Sequence, residues 1–520
     1  MVRYVPVAED GPVSNDENRV TSESLNGADA VSGSVWRYAR ATRAHVVIDA
    51  AAYFELMQDA MLKARQRIFL IGWDFDSRIR LGGGRRWWNL PRRKRFPARL
   101  GAFIVWLVHR TPGLEVRLLK WNLGALKFLL RGTMIIDVVR WWLNSSIELK
   151  FDSAHPIGCS HHQKIVVIDD RFAVCGGIDM TSDRWDTPEH LDDDRRRRQP
   201  NGKPYGPWHD VTMMLEGDIA RMLGDLGRQR WQAAGGGVIE ACVPQEETAW
   251  PENLVAEFRD VEVGIARTRA HYRDRAEVRE IEELFAEQIG RAKRFVYAES
   301  QYFASRRIAE AIALRVSEPD PPEIVLINPL SADGWLEQAA MDSARTRLLH
   351  AIGQDDHARR FRVYVPKTAG GTAIYVHAKL MIVDDEIIRV GSANMNNRSM
   401  GLDSECDVFI DAARPGNGHI VPTITGLRHA LLAEHCGVSI GELAGQLDAH
   451  RSMAAAIDFL SGPGRGAGKR LESFVLRPLT DAEKAIADGA WLDPERPEDI
   501  FEPIGKRGLF RRGGILRRPR

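Results

Sequence analysis

The sequence predicts an α/β protein made of two similar halves, and three observations support this fold class. The pattern His-x-Lys-x4-Asp occurs twice, beginning at residues 162 and 377. The segment ARQRIFLIGWDF from Ala64 resembles AKRFVYAESQYF from Ala292, so the similarity extends beyond the motif. The run AAYFELMQDAMLKARQR has helical periodicity and is followed by the strand-like run IFLIGWDF. A repeat of this length is too long for a solenoid and fits two domain-sized units.

Composition and turn signals divide the chain into consecutive parts. We expect a flexible N-terminal segment (1–35), a first half (36–240), a second half (255–440), a C-terminal helical extension (441–505) and a basic tail (506–520). The Gly- and Pro-containing stretch 235–254 is the predicted linker between the halves.

Overall composition limits the classes of function. The 520 residues are 44% apolar, which is enough for a large core, and 72 basic against 71 acidic residues leave a net charge of +1. Five cysteines without a Cys-x2-Cys pair predict neither a disulfide framework nor a zinc site. The N-terminus lacks the apolar stretch of a secretory signal, and the longest apolar run falls short of a membrane span. We expect a cytoplasmic monomer with peripheral membrane association.

The first motif lies in CSHHQKIVVIDD, residues 159–170. The run 165–168 is apolar and β-branched, which predicts a strand buried on both faces. Residues two apart share a face of a strand, so His162 and Lys164 are expected to project together. His161 points the other way and has no counterpart in the second motif, where Val376 stands, so we expect it to be structural.

The duplicated motif resembles the signature of the phospholipase D superfamily. Further blocks are similar to the catalytic core of its eukaryotic-type members: GGIDMTSDRWD, PWHDV, ESQYF, YVHAKLMIVDD, GSANMNNRSM and LRHALLAEHCG. The resemblance implies a duplicated phospholipase D fold, in which two α/β/α sandwich halves form the active site at their interface. It also implies chemistry without a cofactor or metal ion. We expect no C2, PX or PH module before the core, since 35 residues are too few for one.

The same resemblance implies roles for the two His-Lys pairs. His162 would attack phosphorus and form a covalent phosphohistidine. His377 would act as the general acid and later as the base that activates water. Lys164 and Lys379 would bind the phosphate oxygens and stabilise the negative charge of the transition state.

Further polar residues near the two motifs are candidates for the site, and each of them has an alternative, structural interpretation or an open role. Asp169 and Asp384 are grouped with the catalytic motif residues, although their place beyond the strand end favours a structural role. Asn394 is predicted to bind phosphate and Ser392 to support the site, but Gly-Ser-x-Asn also suits a turn. Asp179 stands where secreted bacterial relatives carry asparagine, which leaves its contact with phosphate open.

The sequence blocks that resemble the phospholipase D core also contain candidates for residues that hold the catalytic side chains in place. Asp186 and Glu405 are the candidates for orienting the two histidines, with ordinary salt bridges to arginines as the alternative. His209 either lines the site or packs in the core. Gly177 and Gly391 are expected to permit a tight turn behind the phosphate.

The function that fits these motifs is a phospholipase D. It would hydrolyse glycerophospholipids of the phosphatidylcholine and phosphatidylethanolamine class to phosphatidic acid and a free headgroup, with transfer to alcohols as a side activity. A phosphatidyltransferase of the cardiolipin-synthase type is the alternative. A phosphodiesterase acting on nucleic acid is disfavoured, because the net charge of +1 gives no general attraction to polyanions.

Two charged segments complete the expectations. RRWWNLPRRKRF, residues 85–96, has six basic residues and paired tryptophans, which suits either a patch on a phospholipid membrane surface or a solvated loop. DDDRRRR, residues 192–198, is expected to be a self-neutralising surface loop.

Overall fold

Sixteen of the described strands form one mixed sheet, and the remaining two, Trp208–His209 and Tyr375–Val376, form a separate pair. The computed structural model describes residues 33–82, 96–121, 134–331, 335–352, 360–462 and 468–475. The strands of the first half are β1 (Arg37–Ile48), β2 (Arg67–Gly72), β3 (Glu115–Trp121), β4 (Ile147–Asp152), β5 (Ile165–Ile168), β6 (Phe172–Gly176), β7 (Trp208–His209) and β8 (Val211–Gly217). Those of the second half are β9 (Phe258–Arg269), β10 (Val278–Arg279), β11 (Phe295–Glu299), β12 (Glu323–Ile327), β13 (Phe361–Lys367), β14 (Tyr375–Val376), β15 (Leu380–Val383), β16 (Ile387–Gly391), β17 (Glu405–Asp411) and β18 (Arg470–Ser473).

Helices connect these strands in both halves. The described α-helices are α1 (Ala50–Leu62), α2 (Leu100–Arg110), α3 (Met134–Trp142), α4 (Asp218–Ala233), α5 (Glu280–Arg291), α6 (Arg306–Val316), α7 (Trp335–Ile352), α8 (Asn397–Gly401), α9 (Val421–Cys436), α10 (Ile440–His450) and α11 (Met453–Leu460). A short 3-10 helix, Gly418–Ile420, precedes α9.

The strand order shows the duplication directly. From the antiparallel pair β1 and β9 at the middle, one side runs β8-β6-β5-β2-β3-β4 and the other runs β17-β16-β15-β11-β12-β13, with β18 added at the second edge. Strands β2, β3 and β4 pair in parallel, as do β11, β12 and β13, and the other neighbours in this sheet pair antiparallel. This pattern confirms the prediction of two similar α/β halves.

Apolar side chains cover both faces of the sheet. Alternate residues of β2 enter different cores: Phe69 and Ile71 pack in the cluster that contains α4, whereas Ile68 and Leu70 pack in the cluster that contains α1 and α2. In the second half, α5 and α6 cover one face, and α9 covers the other. Each half therefore has the expected three-layer α/β/α arrangement.

The motif aspartates lie at the far end of their strands from the lysines. The Asp169 carboxylate accepts hydrogen bonds from the backbone amides of residues 65, 66 and 67 at 2.7–2.8 Å. Asp384 does the same for residues 293, 294 and 295 at 2.7–2.8 Å. Both aspartates have positive φ, 53° and 54°, in the hairpin turns after β5 and β15. Their grouping with the catalytic residues is wrong, because they secure the chain entering β2 and β11.

The C-terminal extension is described as far as residue 475. Helices α10 and α11 pack on the core through Leu443, Met453 and Ile457, and β18 pairs with β13. The basic tail 506–520, nearly all of segment 1–35 and the patch 85–95 lie outside the described residues. Within the described helices, none has the length and apolar character needed to span a membrane.

Candidate active site

The first motif is held in place by the second half of the chain. His162 and Lys164 lie just before β5 rather than within it, and the strand 165–168 is buried throughout, as predicted. The backbone amide of His162 donates to the Ser404 carbonyl at 2.9 Å, and the Ser404 amide donates to the Ser160 carbonyl at 2.9 Å. The segment just before β17 therefore fixes the path of the first motif.

The second motif is held in the same way by the first half. The short strands β7 and β14 pair in parallel, and the His377 amide donates to the His209 carbonyl at 2.8 Å. Each motif is therefore held by backbone hydrogen bonds to the other half of the chain. This arrangement brings His162, Lys164, His377 and Lys379 to one place.

Each histidine is oriented by a carboxylate from the opposite half. His162 Nδ1 lies 3.0 and 3.1 Å from the two carboxylate oxygens of Glu405. His377 Nδ1 lies 2.7 Å from Asp210 Oδ2. In both pairs the contact occupies Nδ1, so Nε2 is the ring nitrogen available for a substrate.

Glu405 therefore contacts a motif histidine as predicted, whereas the partners of Asp186 are other residues. Asp186 accepts hydrogen bonds from the Arg197 guanidinium at 3.1 and 3.2 Å and from the Trp208 amide at 2.9 Å. Its carboxylate also lies 3.0 Å from His190 Nδ1.

Burial and nearby cations shift the ionisation of both histidines. Burial lowers the pKa of His162 well below its usual value, and the ammonium groups of Lys164 and Lys379 lower it further. The pKa of His377 is lowered by burial, by Lys379 and by Arg184. A neutral imidazole is the nucleophilic form, and a bound phosphodiester would supply the negative charge that favours protonation of the other ring.

The two lysines differ in their neighbours. Lys164 Nζ donates to the His162 carbonyl at 2.8 Å and lies 3.4 Å from Asp179 Oδ2. Lys379 Nζ donates to the His377 carbonyl and to Gln301 Oε1, the latter at 3.3 Å. An acid thus faces the first lysine and an amide the second. Asp179 contacts the lysine of the first motif directly.

Asn394 and Ser392 occupy different layers of the site. Asn394 Nδ2 lies 3.4 Å from Gln301 Oε1, beside Lys379, and Asn394 is 3% exposed. The Ser392 hydroxyl donates to Glu405 Oε2 at 2.5 Å, and the Ser399 hydroxyl donates to Oε1 at 2.7 Å. Ser392 therefore supports the orienting acid, whereas Asn394 lies beside the second lysine.

Gly177 and Gly391 have a different role from the one expected. Neither has a positive φ, so a left-handed turn does not require them. A Cβ atom on Gly177 would lie 2.1 Å from Asp210 Oδ1, and one on Gly391 would lie 1.8 Å from Asp407 Oδ1. The glycines are needed because buried carboxylates approach the backbone closely.

The remaining histidines do not line the site. His161 is buried between the Ser404 hydroxyl, 2.6 Å from Nδ1, and Asp152, 3.1 Å from Nε2, which confirms its structural role. His209 is fully buried and contacts Glu299 at 2.8 Å behind Asp210, so it packs in the interior.

The segment 192–198 is only partly a surface loop, because Arg197 is 1% exposed.

Sequence reasoning missed several residues around His377. The Trp208 ring stacks on Tyr375 at 4.6 Å and lies 5.2 Å from the His377 ring. Arg184 lies over Trp208 at 4.3 Å, which adds a cation near the second motif. The duplication contained the signal for Asp210, because β8 and β17 occupy equivalent places and each acid lies at or just before its strand.

Comparisons with known proteins agree with this geometry. A sequence profile described as Phospholipase D matches residues 133–309 and 354–456, more than half of the chain. Phospholipase D alpha 1 of Carica papaya is 25% identical, covering 73% of this chain and 63% of that protein. Phospholipase D alpha 1 of Oryza sativa subsp. japonica is 28% identical, covering 54% and 49%. The chain thus spans about half to 63% of the length of these relatives.

A solved structure shows the same fold. Phosphatidylserine synthase of Haemophilus influenzae Rd KW20 aligns with a TM-score of 0.51, covering 80% of this chain and 91% of that one. The two sequences are 11% identical, so the likeness concerns the fold.

The assignment of the orienting acid predicts a difference between two matched variants. Asp210→Asn should lower kcat by about 10²-fold or more, because the amide no longer stabilises the His377 imidazolium. Asp186→Asn, assayed below its unfolding temperature, should lose at least about tenfold less activity. Steady-state kinetics of the two folded variants measure this difference. Equal losses of activity in the two variants would contradict the assignment of Asp210, rather than Asp186, as the orienting acid.

Proposed function

The chain belongs to the phospholipase D family, and from that premise we propose that it cleaves glycerophospholipids at the phosphodiester bond to the headgroup. The products are phosphatidic acid and the free headgroup alcohol, with phosphatidylcholine and phosphatidylethanolamine as the substrate class. The observation that supports this proposal most strongly is the pair of acid-oriented histidines beside two buried lysines.

In the first step, Nε2 of His162 attacks phosphorus. A nitrogen–phosphorus bond forms, the bond from phosphorus to the headgroup oxygen breaks, and the leaving oxygen takes a proton from His377 Nε2. The product is a phosphatidyl group on His162. Glu405 stabilises the positive charge that develops on the attacking ring.

In the second step, the now neutral His377 removes a proton from water. The water oxygen attacks phosphorus, the nitrogen–phosphorus bond breaks, and phosphatidic acid leaves with His162 restored. An alcohol in place of water gives a phosphatidyl alcohol through the same intermediate. A phosphatidyltransferase of the cardiolipin-synthase type differs only in using a lipid alcohol as the acceptor.

Fixed cations stabilise the negative charge on the phosphate oxygens. Lys164 and Lys379 are 4% exposed, so their charges act in a poorly screened environment. Asn394 and Arg184 lie on the second-motif side and add a hydrogen-bond donor and a further positive charge. Lys379 is the stronger candidate for direct contact with phosphate because an amide rather than an acid faces its amino group.

A lipid substrate requires contact with a lipid surface, and α3 offers apolar side chains for it. Ile136 is 53% exposed, Trp142 83% and the following Leu143 73%. Exposed side chains of this size on one helix and its C-terminal end suit insertion at the headgroup boundary of a bilayer. We include peripheral membrane association in the proposal on this basis. The cytoplasmic location is proposed separately, because all five cysteines are free thiols.

The vesicle assay tests the proposed reaction and its surface together. Full-length protein is mixed with phosphatidylcholine and phosphatidylethanolamine vesicles and ethanol, the vesicles are sedimented, and lipid products are measured by mass spectrometry. We expect the protein in the pellet, with phosphatidic acid and phosphatidylethanol as products.

His162→Ala should reduce turnover at least about 10⁴-fold while leaving sedimentation unchanged, since its ring supplies the nucleophile. Cleavage of DNA without any lipid product would assign the chain to nucleic-acid hydrolysis. Cardiolipin formed from phosphatidylglycerol, without phosphatidic acid, would assign it to the phosphatidyltransferases.

The roles of the two histidines are separable by pH dependence. Arg184 lowers the pKa of His377, so Arg184→Gln should raise it. If His377 is the general acid, activity is lost as pH rises through its pKa, and the basic limb of kcat/KM should move to higher pH. The acidic limb, set by His162, should stay in place. Movement of the acidic limb alone would make His377 the nucleophile.

A further inference from the structure

A second cluster of ionisable side chains lies behind the active site. It contains Asp49, which precedes α1, His190 from the loop after the first motif, His209 from β7, and Glu434 from α9. The side chains of the first three are fully buried, and that of Glu434 is 9% exposed. None of these four takes part in the proposed lipid cleavage.

The donor atoms are close enough together to share one metal ion, since all of them lie within 4.8 Å of one another. Glu434 Oε1 lies 3.2 Å from His190 Nε2 and 3.1 Å from His209 Nδ1. The Asp49 oxygens lie 3.5 Å from His190 Nε2 and 3.3 Å from His209 Nδ1. Four ligands about 2.0–2.2 Å from a zinc ion are about 3.3–3.6 Å apart in tetrahedral geometry. The cluster therefore needs little movement to hold an ion.

The second nitrogen of each histidine contacts a carboxylate. His190 Nδ1 lies 3.0 Å from Asp186, and His209 Nε2 lies 2.8 Å from Glu299. Metal-binding histidines commonly donate their other N–H to a carboxylate, which fixes the ring and strengthens the ligand. The same contact occurs twice here. These contacts leave His190 Nε2 and His209 Nδ1 facing the two acidic ligands.

Two of the four groups are poorly satisfied without an ion. Asp49 Oδ2 and His209 Nδ1 are buried and form no hydrogen bond with the described part of the chain. A buried polar atom in this state costs stability, which a metal bond would remove. The charges also fit, because a divalent ion balances the Asp49 and Glu434 carboxylates while both rings remain neutral. The ammonium group of Lys469 is a further positive charge near Glu434 and Asp49, and it donates a hydrogen bond to the Pro188 carbonyl.

We propose that Asp49, His190, His209 and Glu434 bind one structural divalent transition-metal ion, with zinc as the best fit to a tetrahedral nitrogen and oxygen site. Imidazole and carboxylate donors suit zinc, and four protein ligands leave no open position for catalysis. The ion joins residues from 49 to 434 and lies beside the catalytic supports. The Asp210 amide donates to Asp49 Oδ1 at 3.2 Å, so the site braces the acid that orients His377.

Metal content of the full-length protein is the direct test. After desalting, the wild-type protein should contain about one zinc per chain by elemental mass spectrometry. Asp49→Asn and His190→Asn should lower zinc affinity at least about tenfold, since each removes a ligand. Asn nearly matches the shape of Asp at position 49, where φ is 63° and ψ 149°. At position 190, Asn is among the residues that accept the positive φ of 43°.

Two control variants separate this site from others on the chain. His429→Gln lies on α9 with Glu434 but outside the cluster and should keep its zinc. His162→Ala should also keep its zinc, because the proposed ion does not contact the lipid-cleaving residues. Zinc lost in His162→Ala but kept in Asp49→Asn would place the ion at the active site and overturn the proposal.

The wild-type protein alone decides the case if the ligand variants do not fold. Zinc added back after chelation should raise the unfolding temperature, and Co²⁺ in its place should give the visible absorption of a tetrahedral complex. No change in unfolding temperature, or an octahedral Co²⁺ spectrum, would contradict the proposed site. Neither readout depends on lipid cleavage, so a failure of the proposed function leaves this test unaffected.

Discussion

The active site depends on one kind of interaction: in each half, the motif histidine contacts a carboxylate that the other half supplies. Glu405 from the second half orients His162 of the first, and Asp210 from the first half orients His377 of the second. Neither half can hold its own histidine in this way. The continuous sheet through β1 and β9 and the pairing of β7 with β14 set the register that makes both contacts possible.

Burial at this junction shifts the pKa values of several acids and bases toward neutral pH. Burial raises the pKa of Glu405 to about 8 and that of Asp210 to about 7, and it lowers the pKa of Lys379 to about 7. Buried charged groups are costly without partners, and an anionic phosphodiester supplies the missing negative charge beside the lysines. Substrate binding and ionisation of the site are therefore coupled.

The sequence predicted what is local or repeated. The motif histidines and lysines, the strand 165–168 and the two similar halves all followed from periodicity and duplication. Asp186 was chosen instead of Asp210 because the first half has a much longer stretch between its motif and β8 than the second half has between its motif and β17, so the spacing of Glu405 does not transfer. The segment 192–198 was expected at the surface because its charges balance locally. In the fold, Arg197 turns inward to Asp186, a contact that only tertiary structure reveals.

The covalent intermediate is the central claim, and trapping it is the most direct measurement. Wild-type protein is mixed with a short-chain phosphatidylcholine, quenched in alkali within one turnover, and examined by mass spectrometry of the intact chain and its peptides. The account predicts a phosphatidyl adduct on His162 that is absent from His162→Ala. Turnover without any adduct, or an adduct on His377, would contradict it.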